Sequence, residues 1–484
     1  MSEISKLEPK RLWEIFDKLC EIPRPSKKEA EIIAFVKQFG LDLGLETNVD
    51  KVGNILIRKP ATSGMENKKV VVLQGHLDMV PQKNSDVDHD FDKDPIQPFI
   101  DGDWVTAKGT TLGADNGIGV AAALAVLESG NLEHGPVEAL FTVDEETGMT
   151  GAFGLQPGFL KGDILINMDS EDEGELYIGC AGGMDANVSM NYEEEKVSGS
   201  MLGYKLSLTG LKGGHSGMDI NSGRANANIL LARFIRYVGR NSEARVAWFA
   251  GGDLRNAIPR ESFAHVVFPA DKEKSFLDSV SEFETISRNE FSVTEPDLAF
   301  KAEKSDVVEV MDTNSQRKFF NAVHACPNGV IRMSDSMQGL VETSTNMAVV
   351  KVEDGKAMVQ CLMRSSVDTA KDNLAQRIQG VFELAGAEVK FAGAYPGWKP
   401  NPDSPILKVM QDVYNNMYGK VPEIKAIHAG LECGLLGGVY PHLDMISFGP
   451  TIRYPHSPDE KVNIGTVKKF WDFLVETLKN IPGK

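Results

Sequence analysis

Three short, almost uninterrupted runs of apolar residues constrain the fold of this chain more than any other feature. They lie at residues 70–73, 137–143 and 163–167. A strand with one face in water alternates apolar and polar residues, whereas a continuously apolar strand is buried on both faces, as in a parallel sheet covered by helices. The alanine-rich segment 117–128 is predicted to form a helix that connects the first run to the second. The sequence therefore predicts an α/β fold with a mostly parallel sheet.

The order of predicted elements changes after about residue 185. Residues 202–301 are predicted to form strands mixed with two helices, and a similar order returns in residues 316–395. Such mixtures are typical of an α+β domain. The repetition indicates an inserted α+β domain made of two similar lobes, after which the α/β pattern resumes. The predicted boundaries are 1–185 for the first part of the α/β domain, 186–396 for the insertion and 397–484 for the second part of the α/β domain.

Two local patterns predict where elements begin and how they connect. Ser26-Lys27-Lys28-Glu29 has the spacing of a capping box, in which the first and last side chains bond to backbone N–H groups at the start of a helix. It predicts a helix that begins there and runs through Phe39. The turn Glu353-Asp354-Gly355 separates two predicted strands, 347–352 and 358–363, and a connection this short predicts a hairpin.

The overall charge of the 484-residue chain narrows the class of its partners. Hydrophobic residues make up 42% and charged residues 25%, as in an ordinary globular protein. The formal net charge of -18 would repel the phosphate backbone of nucleic acids and an anionic membrane surface. No apolar stretch approaches the roughly 20 residues that span a bilayer. Neither a nucleic acid nor a membrane is therefore expected as a partner.

The cysteines and the first residues indicate the compartment. The five cysteines form no close pair in the sequence, and their odd number argues against a disulfide framework. They are interpreted as reduced, mostly buried thiols. The first ten residues, MSEISKLEPK, lack the apolar core of a signal peptide. A cytoplasmic protein is therefore expected.

Histidine and acidic residues follow the predicted strands at the points where the strands end. They are His76 and Asp78 after the first run, Glu145 and Glu146 after the second, Asp169 after the third, Asp115 just before the alanine-rich helix, and His456 in a loop after a later strand. In open α/β sheets, ligands bind outside the carboxyl ends of the strands. One such residue is usually structural, but the coincidence of so many at one edge predicts a binding site for metal ions.

The ligand types indicate which metal ions would bind. Imidazole and carboxylate groups without thiolates favour zinc, manganese or cobalt over magnesium. Five such ligands exceed what one tetrahedral ion needs. Two ions that share Asp115 would fit, one bound also by His76 and Asp169 and the other by Glu146 and His456.

Two further carboxylates have predicted supporting roles. His76 and Asp78 are two residues apart and face the same side of an extended chain, so Asp78 can hold the far nitrogen of His76 and fix its tautomer. Glu145 and Glu146 are neighbours and diverge, so one can bind metal while the other accepts a proton from a metal-bound water molecule. A positioned general base contributes about 10²–10⁴-fold to a rate. These pairs predict a hydrolytic metal centre.

Five motifs in this order resemble those of the co-catalytic zinc peptidases that include the aminoacylases and peptidase T. The motifs are Gln74-Gly75-His76-Leu77-Asp78-Met79-Val80, Leu112-Gly113-Ala114-Asp115-Asn116-Gly117, Asp144-Glu145-Glu146-Thr147-Gly148, Asn167-Met168-Asp169-Ser170-Glu171, and Gly449-Pro450 with His456-Ser457-Pro458-Asp459-Glu460. The resemblance covers essentially the whole chain, including the long insertion. None of the predicted metal ligands departs from the family's pattern.

The resemblance implies a fold, an activity and a set of cofactors. The α/β domain would be catalytic and the insertion would be a lid, with two divalent ions, zinc or else cobalt or manganese, bridged by Asp115 and by a water molecule. Glu145 would be the general base, and Asp78 would orient His76. The expected reaction is the hydrolysis of dipeptides, both Xaa-His and other unblocked dipeptides.

The resemblance also assigns residues of the insertion and its surroundings to substrate binding. His215, in Gly213-Gly214-His215-Ser216-Gly217, is implied to help stabilise the oxyanion. Arg364 is implied to grip the C-terminal carboxylate of the peptide, which suits arginine because it binds carboxylates through two parallel hydrogen bonds. Asn256 and the backbone of Gly430 are implied to contact the peptide.

Other functions stay open from the sequence. A tripeptidase or an N-acyl amino acid deacylase would use the same chemistry. A non-catalytic peptide-binding protein is a remoter alternative, which predicts losses among the metal or base residues that this sequence does not have. A small peptide is the expected partner. A homodimer is expected by analogy with the family, although a duplicated lid could supply within one chain what a partner subunit supplies in smaller relatives.

Overall fold

The computed structural model describes residues 2–197 and 199–484. The chain forms two compact units. The first comprises Met1–Gly179, Pro400–Ala426 and Leu431–Lys484, and the second comprises Cys180–Lys399 and Ile427–Gly430. The first unit is thus assembled from three separate stretches of sequence.

An eight-stranded sheet forms the centre of the first unit. Its strands, in spatial order, are Glu46–Val49, Ile55–Lys59, Val137–Thr142, Val71–His76, Ile164–Asn167, Asp444–Ser447, Glu175–Cys180 and Glu423–Ile427. The third to sixth of these pair in parallel, and nearly all of their residues are buried. The three apolar runs of the sequence are among these central strands, and the predicted α/β class is therefore confirmed.

The helices of the first unit, except the short Glu145–Gly148, bury apolar residues against this sheet and against one another. They are the 3₁₀ helix Glu3–Lys6 and the α-helices Lys10–Cys20, Ala30–Asp42, Ala114–Glu128, Glu145–Gly148, Thr150–Gly154, Pro405–Tyr418, Glu432–Val439 and Ile464–Asn480. A smaller sheet consists of Ile452–Arg453, Lys461–Asn463, Trp104–Ala107 and Pro98–Asp101. Ala114–Glu128 is buried along almost its whole length, because its small residues let it pack closely on two central strands.

The second unit contains a nine-stranded antiparallel sheet. In spatial order its strands are Ala299–Lys304, Met201–Thr209, Ser262–Pro269, Arg245–Gly251, Val341–Glu353, Lys356–Ser365, Gly182–Asn191 and Glu388–Tyr395, with Gly329–Met333 also paired to Val341–Glu353. Two short pairs are Glu194–Lys196 with Glu309–Met311 and Gly214–His215 with Ala257–Ile258. The helices are Ala227–Asn241, Glu273–Glu290, Thr313–Ala325, Asp368–Leu384 and the 3₁₀ helix Ala270–Lys272.

The sheet of the second unit runs without interruption through both predicted lobes. Arg245–Gly251, from the first lobe, pairs with Val341–Glu353, from the second. Side chains of the four α-helices and of the sheet share one hydrophobic core, which includes Phe234, Phe276 and Phe382. The two sequence segments therefore contribute to a single packed structure.

The predicted hairpin in the second unit is confirmed. Val341–Glu353 and Lys356–Ser365 pair directly, and both strands are longer than predicted. Asp354 (φ 50°) and Gly355 (φ 70°) adopt the left-handed conformation that a tight hairpin turn requires at both central positions.

The predicted capping box at Ser26 is wrong. The helix begins at Ala30, and Lys27 adopts a left-handed φ of 69° that cannot continue a helix. The hydroxyl of Ser26 donates to Oδ2 of Asp78 at 2.8 Å instead of capping the helix. A hydrogen bond to an ionised carboxylate is stronger than one between neutral groups. Ser26 therefore bonds to Asp78 and does not cap the helix.

The cysteines agree with their predicted state, because all five lie in the described ranges, are buried and form no disulfide. Within the described ranges, no helix is both long enough and apolar enough to cross a bilayer.

Candidate active site

The strand Val71–His76 ends with a buried histidine, and Asp78 contacts the Nδ1 side of its ring. Nδ1 of His76 lies 3.1 Å from the carbonyl oxygen of Asp78 and 3.3 Å from its carboxylate Oδ1. Burial lowers the pKa of His76, but the carboxylates of Asp169, Asp115 and Asp78 raise it well above its ordinary value. Nδ1 faces two acceptors and keeps its proton, so the neutral ring that forms when Nε2 loses its proton has its lone pair on Nε2. This tautomer leaves Nε2 available to bind a cation.

Asp115 lies between two histidines. It follows Gly113, whose φ of 70° makes a left-handed turn into the helix Ala114–Glu128. Its Oδ1 lies 3.0 Å from Nε2 of His76, and its Oδ2 lies 3.2 Å from Nε2 of His456. The two oxygen atoms of one carboxylate therefore face two different histidines.

Asp169 and Glu146 complete two groups of three residues around Asp115. Oδ1 of Asp169 lies 3.4 Å from Nε2 of His76, and Oε2 of Glu146 lies 3.0 Å from Nε2 of His456. Within each group the potential ligand atoms lie within 4.8 Å of one another. All five residues predicted to bind metal are brought together, with Asp115 common to both groups.

This arrangement fits two divalent cations. Tetrahedral coordination with bonds of about 2.0–2.2 Å places neighbouring ligand atoms about 3.4 Å apart. The N···O separations in the two groups are 3.0, 3.4, 3.2 and 3.0 Å. Oε1 of Glu146 is buried and accepts no hydrogen bond from the described residues. The nitrogen and oxygen donors are those that zinc, manganese and cobalt accept.

Negative charge is concentrated around these ligands. Burial, together with the charges of Asp115 and Glu432, raises the pKa of Asp169 to about 7. Burial, together with the charges of Asp115 and Asp169, raises the pKa of Glu171 to about 8. Carboxylates this close destabilise one another's ionised forms. Bound cations would offset the repulsion, which is a second physical reason why the site suits them.

Asp78 is a fully buried carboxylate with several hydrogen-bond partners. Besides the His76 ring and the Ser26 hydroxyl, the backbone N–H groups of Glu145 and Glu146 donate to it at 3.0 and 3.2 Å. Burial alone would raise its pKa, but these interactions, above all that with His76, lower it to about 2. The ionised carboxylate therefore fixes the His76 ring and also the backbone of two neighbouring glutamates.

The side chains of Glu145 and Glu146 have different surroundings. Glu146 faces His456, whereas the carboxylate of Glu145 forms no hydrogen bond or ion pair with the described residues. Burial, together with the charges of Asp169, Glu432 and Glu146, raises the pKa of Glu145 well above its ordinary value. A carboxylate with a raised pKa and no fixed partner is suited to accept a proton.

Glu432 is a buried carboxylate at this site that the sequence did not predict. Nε2 of Gln74 and Oγ1 of Thr142 donate to its Oε2 at 2.6 and 2.8 Å. Burial raises its pKa to about 7, and its charge acts on both Asp169 and Glu145. It begins the helix Glu432–Val439, so no strand end in the local sequence marks it as part of the site.

In the second unit, Arg364 is a buried cation that forms no ion pair with a carboxylate of the described residues. It is 6% exposed, its Nε donates to Oγ of Ser216 at 3.3 Å, and its charge acts on the neighbouring Tyr395 hydroxyl. No carboxylate in residues 2–197 or 199–484 lies within ion-pair distance of it. Buried charges are normally paired. Arg364 is therefore suited to bind an anion.

His215 lies beside Arg364 and is also suited to donate. Its Nδ1 accepts the backbone N–H groups of Gly217 and Met218 at 3.2 and 3.0 Å, so the neutral ring carries its proton on Nε2. Burial and the charge of Arg364 lower the pKa of His215 and keep the ring neutral. Nε2 lies 3.5 Å from Nη2 of Arg364. The two groups are therefore adjacent donors.

Asn256 and Gly430 also lie in the second unit. Asn256 is exposed, and its carbonyl oxygen accepts the N–H of Ser216 at 2.8 Å, next to His215. Gly430 lies against Tyr395, because a Cβ atom at this position would approach the Tyr395 hydroxyl to 3.1 Å. All four residues that the resemblance assigned to substrate binding therefore belong to one compact unit.

His428 is a buried residue near Arg364 that the sequence did not predict. Its Nε2 lies 2.7 Å from Oγ of Ser344. Burial, followed by the charge of Arg364, lowers its pKa to about 3, so the ring is neutral. His428 precedes Gly430 by two positions in the sequence. A lone histidine is usually structural, and no local pattern indicates that this one lies near Arg364.

Comparison with known proteins gives a consistent result. Residues 72–480 match the sequence model of peptidase family M20/M25/M40. The chain is 50% identical over 485 residues to the cytosol non-specific dipeptidase of Escherichia coli (strain K12), which covers 100% of both chains. The crystal structure of aminoacylhistidine dipeptidase from Vibrio alginolyticus is similar with a TM-score of 0.95 and 52% identity, over 100% of this chain and 99% of that chain.

A more distant likeness concerns the fold alone. The crystal structure of a tripeptidase from Staphylococcus aureus subsp. aureus Mu50 is similar with a TM-score of 0.57 and 17% identity. It covers 98% of this chain and 99% of that chain. At this identity the comparison supports the same arrangement of elements but no choice of substrate.

Proposed function

Since this chain belongs to peptidase family M20/M25/M40, we propose that it is a metal-dependent dipeptidase that hydrolyses Xaa-His and other unblocked dipeptides. The observation that carries the proposal is the position of Asp115 between His76 and His456, each of which faces a further carboxylate. The full-length similarity to two dipeptidases supports dipeptides as substrates. The name of the Escherichia coli relative supports a cytoplasmic location.

Two divalent cations are proposed to bind at the shared carboxylate. His76, Asp115 and Asp169 would hold one, and Asp115, Glu146 and His456 would hold the other. Zinc is the proposed ion, with cobalt and manganese as ions of similar ligand preference. When bound, such a pair supplies Lewis acidity, which polarises a carbonyl group and lowers the pKa of a water molecule.

Glu145 is proposed as the general base. Its carboxylate forms no hydrogen bond or ion pair with the described residues, and its raised pKa makes it a stronger base than an exposed glutamate. It would take a proton from the attacking water molecule and deliver it to the amine as the peptide bond breaks. Asp78 would position it, because Asp78 accepts the backbone N–H of Glu145 while it holds the ring of His76.

The second unit is proposed to recognise the peptide. Arg364 would bind the C-terminal carboxylate, and the Nε2–H group of His215 would donate to the oxyanion. Asn256 and the backbone of Gly430 would contact the rest of the dipeptide. The support is electrostatic, since Arg364 is buried without an anionic partner among the described residues and the neighbouring histidines are neutral. A bound carboxylate would supply the negative charge that Arg364 lacks.

The Arg364→Met substitution is expected to lower kcat/KM for a free dipeptide about 10- to 100-fold, because a hydrogen bond to a charged group contributes about 1.5–3 kcal/mol. A dipeptide amide has no terminal carboxylate, so its kcat/KM should change less than about threefold. Steady-state kinetics with Ala-His and its amide measures both effects. The control is Arg332→Met, an arginine of the same unit whose side chain is 53% exposed. Equal losses on the two substrates would contradict carboxylate recognition by Arg364.

The zinc-loaded protein is expected to hydrolyse β-alanyl-histidine and other dipeptides faster than a tripeptide or an N-acetylated amino acid. A strong chelator should reduce dipeptide turnover below about 1%, since the ions supply the Lewis acidity, and zinc, cobalt or manganese should restore it. Chromatographic detection of the free amino acids measures the rates. A preference for tripeptides or N-acyl amino acids would replace the dipeptidase assignment. Stoichiometric peptide binding without hydrolysis, even with zinc, would indicate a binding protein instead.

A further inference from the structure

Glu460 ends the motif that begins at His456, and its carboxylate is buried in the first unit. Its Oε2 accepts the backbone N–H groups of Leu112 and Gly113 at 2.7 and 2.9 Å. Its Oε1 accepts those of Ala114 and Asp115 at 2.7 and 3.2 Å. Four successive N–H groups therefore point at one carboxylate, and the last of them belongs to the residue shared by the two metal groups.

Arg24 holds the same turn from its carbonyl side. This arginine is buried, and its Nη2 donates to the carbonyl oxygen of Gly113 at 2.5 Å. Its Nη1 donates to the carbonyl oxygens of Leu77 and Asp78 at 3.0 and 3.2 Å. One guanidinium group therefore connects the turn that carries Asp115 to the segment that follows His76.

Two glycines of the Leu112–Gly117 motif make room for this guanidinium. A Cβ atom on Gly113 would lie 2.5 Å from Nη2 of Arg24, and a Cβ atom on Gly117 would lie 2.7 Å from it. Neither distance is compatible with van der Waals contact. Gly113 also has a left-handed φ of 70°, which other residues adopt only with strain. Arg24, together with Met79 beside Gly113 and Phe16 beside Gly117, thus leaves no room for a side chain at either glycine.

We propose that Glu460 and Arg24 are positioning residues, which fix the Asp115 turn and thereby set the affinity of the protein for both cations. The inference rests on the proposed function, because it concerns ions held by Asp115. Neither residue contributes an atom to the two ligand groups. Both act on the backbone of the turn, so that the two carboxylate oxygens of Asp115 stay directed at two different histidines. A turn without these bonds could rotate, and one oxygen or both would leave their positions.

The Glu460→Gln substitution tests the role of the carboxylate. The amide keeps one oxygen atom that can accept hydrogen bonds. Its NH₂ group is a donor and cannot accept a bond from the backbone N–H groups that it faces, so about half of the four hydrogen bonds are lost. We expect the affinity for zinc to fall about 10- to 100-fold, as is typical when a residue that orients a metal ligand is replaced. Competition with a colorimetric zinc chelator measures this affinity directly. At saturating zinc, kcat for a dipeptide should fall while KM stays within about threefold of its original value.

Glu295→Gln is the matched control. Glu295 is fully buried in the second unit and accepts two backbone N–H groups, from Lys212 and Ala225, at 2.8 and 3.0 Å. The change removes the same kind of hydrogen bond, so the thermal midpoint should fall while the zinc affinity stays unchanged. If Glu460→Gln does not fold, Glu460→Asp keeps the charge but shortens the reach, and its zinc affinity should also be reduced.

The possible outcomes separate this inference from the proposed function. A wild-type protein that binds two zinc ions, together with a folded Glu460→Gln variant of unchanged affinity, overturns the positioning role and leaves the proposed function intact. The same conclusion follows if only Glu460→Asp folds and its affinity is unchanged. A wild-type protein that binds no zinc overturns the proposed function itself. If the zinc affinity falls in the Glu460 variant and stays unchanged in Glu295→Gln, the inference is supported.

Discussion

The Glu145→Gln substitution is expected to lower kcat for dipeptide hydrolysis about 100- to 10,000-fold while both cations stay bound. An amide of nearly the same shape cannot accept the proton of the attacking water molecule. The backbone N–H of residue 145 keeps its bond to Asp78, because the change does not affect the main chain. Glu145 belongs to neither of the two ligand groups that contain Asp115; it lies near His76 and Glu146 in a third group, and the two proposed cations each keep three other ligands without it. The loss should therefore appear in the chemical step and not in metal content.

Three measurements are needed to assign that loss to the base. Steady-state kinetics gives kcat and KM, mass spectrometry of the dialysed protein gives the metal content, and the pH dependence of kcat/KM shows whether the acidic limb of the wild-type profile disappears. Glu66→Gln, an exposed glutamate of the same unit, is the control and should retain wild-type values. Near-normal turnover in Glu145→Gln would refute the base assignment. A variant that loses its cations would instead indicate that Glu145 is a ligand.

The parts of the site that the sequence predicts are those that depend on local signals. Continuous hydrophobicity identifies the buried central strands, and the α/β topology brings their carboxyl ends to one edge. A residue placed directly after such a strand, such as His76 or Asp169, is therefore located without knowledge of any side-chain contact. Asp115 and His456 follow from the same reasoning, because the sequence places Asp115 just before a predicted helix and His456 in a loop after a predicted strand.

The parts that the sequence does not predict depend on contacts between distant residues. Glu432 receives its hydrogen bonds from Gln74 and Thr142, which lie hundreds of positions away. The capping pattern at Ser26 does not form a cap, because the hydroxyl of Ser26 bonds to the carboxylate of Asp78. That residue lies far along the chain and is not part of the local pattern. The continuous sheet of the second unit depends on pairing between Arg245–Gly251 and Val341–Glu353, whose register is not encoded in either strand alone.

The Asp115→Ala substitution is expected to remove both cations and to lower dipeptide turnover more than about 1,000-fold, since the Lewis acidity of the pair is lost with them. The reason lies in the geometry of one carboxylate. Its Oδ1 belongs to the group with His76 and Asp169, and its Oδ2 to the group with His456 and Glu146. Each remaining pair offers one imidazole and one carboxylate, which is fewer than the three protein ligands of an ordinary catalytic zinc site.

Single-group variants provide the comparison that makes the result specific to Asp115. Asp169→Ala should lose the ion held with His76 and keep the other, whereas Glu146→Ala should show the reverse. The metal content of the three dialysed variants should therefore be close to none for Asp115→Ala and one ion per chain for each of the others. Circular dichroism confirms that each variant is folded before its metal is counted. If Asp115→Ala retains one tightly bound ion, the carboxylate is not shared, and the two cations do not form the joint site proposed for this chain.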